Sequence, residues 1–220
     1  MIRKEKLVNE GIYHIYNKSI AGFSIFNNTL EFERMKSIIS YYQISDMPIP
    51  FSRFIKTKKV LKKSFSESLR PLQKGFRLVQ IIAYCIMPTH IHLILKQLKD
   101  DGISIFMAKG LNSYTRYFNE FHERKGPLWQ ARFKNVTVRT DEQLLHLTRY
   151  IHLNPVTANL AKRPQDWSAS SYREYIARGD GRKICDYKDL LDIKPGPYAE
   201  FVKEGIAYQK ELNLAKKLAL

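Results

Sequence analysis

Two apolar runs, residues 76–87 and 90–97, are separated only by Pro88-Thr89. Each is about strand length, and a two-residue break between such runs signals a hairpin. The segment reads as two antiparallel strands joined by a tight turn. The second strand opens His90-Ile91-His92. Side chains alternate along a strand, so both histidines project from one face, with Cα atoms roughly 6.5–7 Å apart. That separation suits two imidazoles converging on one metal ion. A His-hydrophobic-His triplet is short and arises by chance, so its weight depends on the rest of the chain.

Other elements arrange themselves around this pair. Residues 11–20 (GIYHIYNKSI) alternate and are aromatic-rich, which predicts a strand. Asn28 and Thr29 precede an amphipathic helix over about 30–43, with Phe32, Met35, Ile38, Ile39 and Tyr42 on one side. Residues 103–122 form a long amphipathic helix, Gly126-Pro127 breaks the chain, and 133–139 (FKNVTVR) is a strand. The order strand, helix, strand, strand, helix, strand, helix suits an α+β sandwich of ferredoxin-like or RRM-like type. Its antiparallel sheet would carry helices packed on one face. Residues 46–75 change character, with Pro48, Pro50 and a Lys-rich stretch, and read as a basic insertion. A further helix is expected over 166–178, and the tail from 188 onward is mixed. This gives a principal domain over 1–178 and a C-terminal extension over 179–220.

Lys and Arg number 37 against 21 Asp and Glu, a formal charge of +16. Such an excess favours a polyanionic partner, nucleic acid first and an anionic membrane surface second. No apolar stretch approaches the ~20 residues of a membrane span. The charged N-terminus lacks the apolar segment of a secretory signal. Cys85 and Cys185 are too few for a disulfide framework, so a cytoplasmic, nucleoid-associated protein is expected.

Thr140-Asp141-Glu142-Gln143 opens the helix that follows the 133–139 strand. Thr140 can cap the first amides and Gln143 can reach back to it, a capping box with two acids at the positive helix end. Pro155 disfavours a helical residue before it, so the helix is expected to end near Asn154. Tyr150 and Asn154 are four apart and share a face. If this helix lies beside the histidine strand, two imidazoles, one amide oxygen and one phenol converge. That donor set leaves open positions on a divalent ion such as Mg²⁺ or Mn²⁺, which can polarise a scissile phosphate. A tyrosine oxygen attacking phosphorus yields a 5′-phosphotyrosine and a free 3′-OH, and the ester conserves the bond energy for rejoining. Duller alternatives stay open. Tyr150 could be a packed helix aromatic, Asn154 a C-cap, and His146 a surface histidine, a stand-in ligand or a proton relay.

Three blocks in order, YCIMPTHIHLIL, GPLWQARFK and LTRYIHLNPV, resemble the single-tyrosine HUH transposases. The likeness is to the REP-associated tyrosine transposases, relatives of the insertion-sequence 200/605 (IS200-like) type, over roughly residues 10–175. The resemblance implies that His90, His92 and Asn154 bind Mg²⁺ or Mn²⁺ and that Tyr150 is the nucleophile. The implied substrate is single-stranded DNA next to imperfect hairpins, handled by a monomer or homodimer. The basic insertion lies outside the shared core.

Further residues fit DNA contact. Trp129, Gln130, Arg132 and Lys134 form an aromatic-basic cluster in which cations would meet phosphates and a ring would stack on an unpaired base. The alternative is that Trp129 and Phe133 are core and only the cations face solvent. Lys59 and Lys62 of the insertion suit a hairpin stem, and Lys18 ends the first strand. Two competing functions remain: a non-catalytic hairpin DNA- or RNA-binding protein, and a metallo-phosphodiesterase that uses water and forms no adduct.

Overall fold

The computed structural model describes residues 6–57, 60, 64–72, 75–179 and 183–218. Four strands, β1 (Ile12–Lys18), β2 (Val79–Met87), β3 (His90–Gln97) and β4 (Lys134–Val138), form one sheet in the order β2-β3-β1-β4. Every neighbouring pair is antiparallel. Helix α1 (Thr29–Tyr42) links β1 to β2, and a later long helix (Gly102–Phe121) links β3 to β4. This βαββαβ connectivity is the ferredoxin-like arrangement expected.

The β2–β3 hairpin turns at Pro88-Thr89, pairing Met87 with His90. Residues upstream hold the turn in place: Ile25 donates its amide to Pro88 O at 2.8 Å and Ser19 to Thr89 O at 2.8 Å. One sheet face is apolar. Tyr13 and Ile15 of β1, and Ile91, Leu93 and Leu95 of β3, bury against Met35, Ile38 and Ile39 of α1 and Phe106 and Tyr114 of the long helix. Asn28 caps α1 by accepting the Glu31 amide at 3.1 Å.

The described part of the basic insertion folds onto this layer. Short helices α2 (Phe51–Phe54) and α3 (Phe65–Leu69) pack Phe54 on Tyr41 and Phe65 on Phe51. With these two counted, the long helix Gly102–Phe121 is α4.

The other sheet face is only partly covered. Helix α5 (Asp141–Thr157) packs chiefly on β2, its Leu144, Ile151 and Leu153 against Ile82, Cys85, Met87 and Ile94. Helices therefore lie on both faces, α1 and α4 on one and α5 on the other. Thr140 caps α5 by accepting the Gln143 amide at 3.1 Å. The Gln143 side chain, however, accepts from the Arg139 amide, one residue beyond the expected partner.

Three sequence expectations are corrected. Helix α5 does not end at Asn154 but runs through Pro155 to Thr157. Proline removes one intrahelical donor, and the last turn still closes, with Ala158 donating to Asn154 O at 3.0 Å and Leu160 to Pro155 O at 2.8 Å. Burial of Leu153, Pro155 and Val156 holds that turn. The helix expected over 166–178 is only a single turn, α6 (Tyr172–Tyr175). Residues 169–171 instead satisfy the outer edge of β2: Ile86 donates to Ala169 O and Ser171 to Tyr84 O. The mixed tail contains a helix, α7 (Pro195–Leu218), which packs along α5. Among the described residues, no helix is long and apolar enough to cross a membrane.

Candidate active site

The open part of the second sheet face forms a cleft of ≈ 680 Å³ between β1, β3, the rim of β4 and the end of α5. His90 and His92 line it from β3, and Tyr150 and Asn154 line it from α5. All four residues expected at a catalytic centre thus meet in one cleft, supplied by one chain.

Strand register explains the floor. Tyr16 pairs with His92 and Lys18 with His90, so β1 presents His14, Tyr16 and Lys18 to the same face. The rings of His90 and His92 are 5.0 Å apart and nearly perpendicular, a spacing that lets both reach one ion. Each has its Nδ1 engaged: Thr89 Oγ1 lies 2.9 Å from Nδ1 of His90, and His14 Nε2 lies 2.9 Å from Nδ1 of His92. Their Nε2 atoms are the remaining ligand positions. Burial pushes His90 down to about 4, aided by Lys18, and pushes His92 well below the ordinary histidine range. Both are neutral near pH 7, the form that binds metal.

Asn154 is buried, and its Nδ2 has no hydrogen-bond partner. An unsatisfied buried N–H donor is costly, and a hydrogen-bond acceptor in the cleft, such as a water or phosphate oxygen, would relieve that cost. Two neutral imidazoles and an amide fit a divalent cation. Among the described residues, no cluster of three His, Cys, Asp or Glu side chains is arranged for one; the carbonyl oxygen of Asn154 is a further candidate donor in the cleft. The Tyr150 ring lies 6.1 Å from that of His92 and 6.2 Å from that of His14, edge-on to both. Burial, with Tyr16 adding to it, raises the Tyr150 pKa, so its phenol holds its proton at neutral pH.

The expected DNA-contact residues divide. Lys18 lines the cleft and is exposed. Lys134 stands opposite Tyr16 on β4 and is also exposed, as are Gln130 and Arg132. Trp129 is tied to the core side: its indole Nε1 donates to Thr115 Oγ1 at 3.1 Å, and its ring packs with Phe26 and Tyr114. It is half-buried, one side packed against the core. Lys59 and Lys62 lie outside the described residues. His146 sits away from the cleft, 2.9 Å from Arg149 and against Phe201.

His14 and Tyr16 were missed from sequence. The signal was present, since His14, Tyr16 and Lys18 repeat at period two in an alternating strand, as His90 and His92 do.

Known proteins resemble this chain in sequence and in fold. Residues 50–154 match the sequence model of the family described as "Transposase IS200 like". The matched span begins inside the segment read as an insertion. The resemblance carried by the three sequence blocks is thereby borne out: over residues 50–154 the chain is similar to the IS200-like transposases. Among its relatives is a Haemophilus influenzae protein named for the REP-associated tyrosine transposases, 32% identical over 107 residues. That alignment covers 44% of this chain and 61% of the relative, so the chain spans about three-fifths of the relative's length. A solved structure of a REP-associated tyrosine transposase bound to a REP hairpin superposes with a TM-score of 0.52. It covers 89% of this chain and 96% of the other, at 18% identity, and shows the shared fold.

Proposed function

We propose that the chain is a metal-dependent endonuclease and strand transferase that acts on single-stranded DNA next to hairpins, in the manner of a transposase. The observation that carries this reading is the meeting of His90, His92, Tyr150 and Asn154 in one cleft. A pure binding module has no need of that set. The +16 charge and the hairpin-bound structural relative support a DNA hairpin as partner.

In this scheme His90, His92 and Asn154 hold Mg²⁺ or Mn²⁺. The ion, when bound, polarises the scissile phosphate and offsets charge developing on it. Tyr150 gives up its phenolic proton as its Oη attacks phosphorus. The Oη–P bond forms, the P–O3′ bond breaks, and the departing 3′ oxygen gains a proton. The downstream, 3′-side segment stays on the tyrosine through its 5′ phosphate, and a second 3′-OH can reverse the step to rejoin. Lys18 and Lys134 flank the cleft where the flanking single strand would run, as phosphate contacts.

A hairpin oligonucleotide with a single-stranded flank, incubated with Mn²⁺, should give a covalent protein–DNA species on a denaturing gel. Tyr150→Phe should abolish it. Adduct formation by Tyr150→Phe at the wild-type rate would refute the nucleophile assignment. Cleavage without an adduct would point to a water-using phosphodiesterase, and no cleavage to a hairpin-binding protein.

A further inference from the structure

His14 on β1 has no part in the scheme above, and it lies outside the span matched by the family. Its Nε2 is 2.9 Å from Nδ1 of His92, and the two rings stack at 5.1 Å with 21° between their planes. A neutral imidazole carries one hydrogen, on one of its two nitrogens. In a bond between two neutral rings, one nitrogen donates and the other accepts. Two directions are therefore open, and they leave His92 in different states.

If His14 donates, Nδ1 of His92 is bare and its hydrogen sits on Nε2, which is then closed to a cation. If His14 accepts, the hydrogen of His92 sits on Nδ1 and the Nε2 lone pair is free. We propose that His14 is a positioning residue that accepts the Nδ1–H of His92 and holds it in the tautomer able to bind a divalent cation through Nε2. The inference rests on the metal-dependent reading above. His90 has the same need and meets it differently, through the hydroxyl of Thr89. The hydroxyl, like the ring at position 14, can donate or accept, and metal binding through Nε2 selects the accepting direction at each.

His14 does not act as a further ligand in this arrangement, because the nitrogen that faces His92 is occupied by that bond. Its place is set by the sheet. It pairs with Ile94, and its side chain meets His92 diagonally across the β1–β3 ladder. Partners that orient a ligating histidine in this way typically contribute 10–100-fold to metal affinity.

The test is Mn²⁺ binding to the full chain without DNA, followed by electron paramagnetic resonance and calorimetry. His14→Phe keeps a ring of similar size and removes the acceptor. His14→Gln restores a carbonyl oxygen that can take the Nδ1–H. His14→Phe should bind Mn²⁺ 10–100-fold more weakly than wild type, and His14→Gln should stay within a few-fold of it. Nitrogen-15 NMR should place the His92 hydrogen on Nδ1 in the wild type and show a mixture of tautomers in His14→Phe. Unfolding midpoints without Mn²⁺ separate a binding loss from a folding loss. Wild-type affinity in His14→Phe, or a His14→Gln as weak as His14→Phe at equal stability, overturns the assignment while the metal reading stands. A wild type that binds no Mn²⁺ overturns both.

Discussion

Tyr198 joins the C-terminal helix to the helix that carries the candidate nucleophile. Its hydroxyl lies 2.7 Å from Nδ1 of His152 and donates to Thr148 Oγ1 at 2.9 Å. Both partners belong to α5 and are fully buried. Tyr198→Phe keeps the ring and its packing on Tyr175 but removes the hydroxyl. Thr148 still donates to Leu145 O at 2.7 Å, so it loses only one acceptor contact. His152 keeps Ser171 at Nε2 but is left with nothing at Nδ1, in a site closed to water. One buried polar group left unsatisfied costs about 1–3 kcal/mol, so about 2 kcal/mol is expected. In a chain of this size each kcal/mol moves the midpoint by about 2–4 °C, giving a fall of about 4–8 °C. The control is Tyr208→Phe, on the same helix with its ring 63% exposed, expected to stay within about 0.5 kcal/mol of wild type. Paired thermal and urea unfolding at pH 7.5 reads both variants. Gln209 of α7 donates to the Tyr150 carbonyl at 2.9 Å, so adduct yield should also fall in Tyr198→Phe. Equal midpoints for the two variants would refute the idea that this network fastens α7 to the tyrosine helix.

Other expectations are briefer. A Cβ at Gly102 would lie 2.2 Å from Leu78 O, a backbone atom that cannot swing aside, so Gly102→Ala should cost about 3 kcal/mol in urea unfolding. Burial pushes His152 down to about 3 and His14 to about 4. Between pH 6.5 and those values the unfolded chain takes up protons that the folded chain does not. Stability is therefore full above pH 6.5 and falls toward pH 4, by up to about 1.4 kcal/mol per pH unit per group. A flat urea midpoint from pH 7.5 to 4.5 would contradict this. DNA affinity should fall at least tenfold between 50 and 200 mM salt, roughly, if phosphate contacts dominate, as a titration by fluorescence anisotropy can show.

The fold was legible where a local pattern and the tertiary structure ask for the same thing. The two apolar runs around Pro88-Thr89 became the β2–β3 hairpin, and the alternation of residues 11–20 became the strand between β3 and β4. Legibility failed where tertiary contacts override local preference. Pro155 argues for a helix end, yet one missing amide is outweighed by the burial of the turn that contains it. Residues 169–171 sit in a helix-like sequence but are drawn out to close the edge of β2. Trp129 in a basic setting looks like a stacking platform, and its packing on Tyr114 and bond to Thr115, which tie one side of it to the core, are visible only in three dimensions.

The candidate site follows a different logic, because its chemistry depends on which strands stay uncovered. Helix α5 packs on β2 and reaches β3, so the second sheet face is closed there and open over β1 and β4. The histidines sit at the boundary, His92 buried at 8% exposure and His90 less so. Low polarity around them keeps the rings neutral, while the open side gives access to a long substrate. No single motif encodes that boundary. It arises from the strand order, which puts β1 between the histidine strand and a short edge strand whose Val136 is left 48% exposed. The order also explains why β1 supplies His14, Tyr16 and Lys18 to the cleft although 72 residues or more separate them from His90. The metal reading makes His92 depend on position 14, whose side chain meets it diagonally across the β1–β3 ladder. A bulky aliphatic at 14 should impair Mn²⁺ binding even with both ligand histidines intact, a loss that calorimetry reads against the wild type.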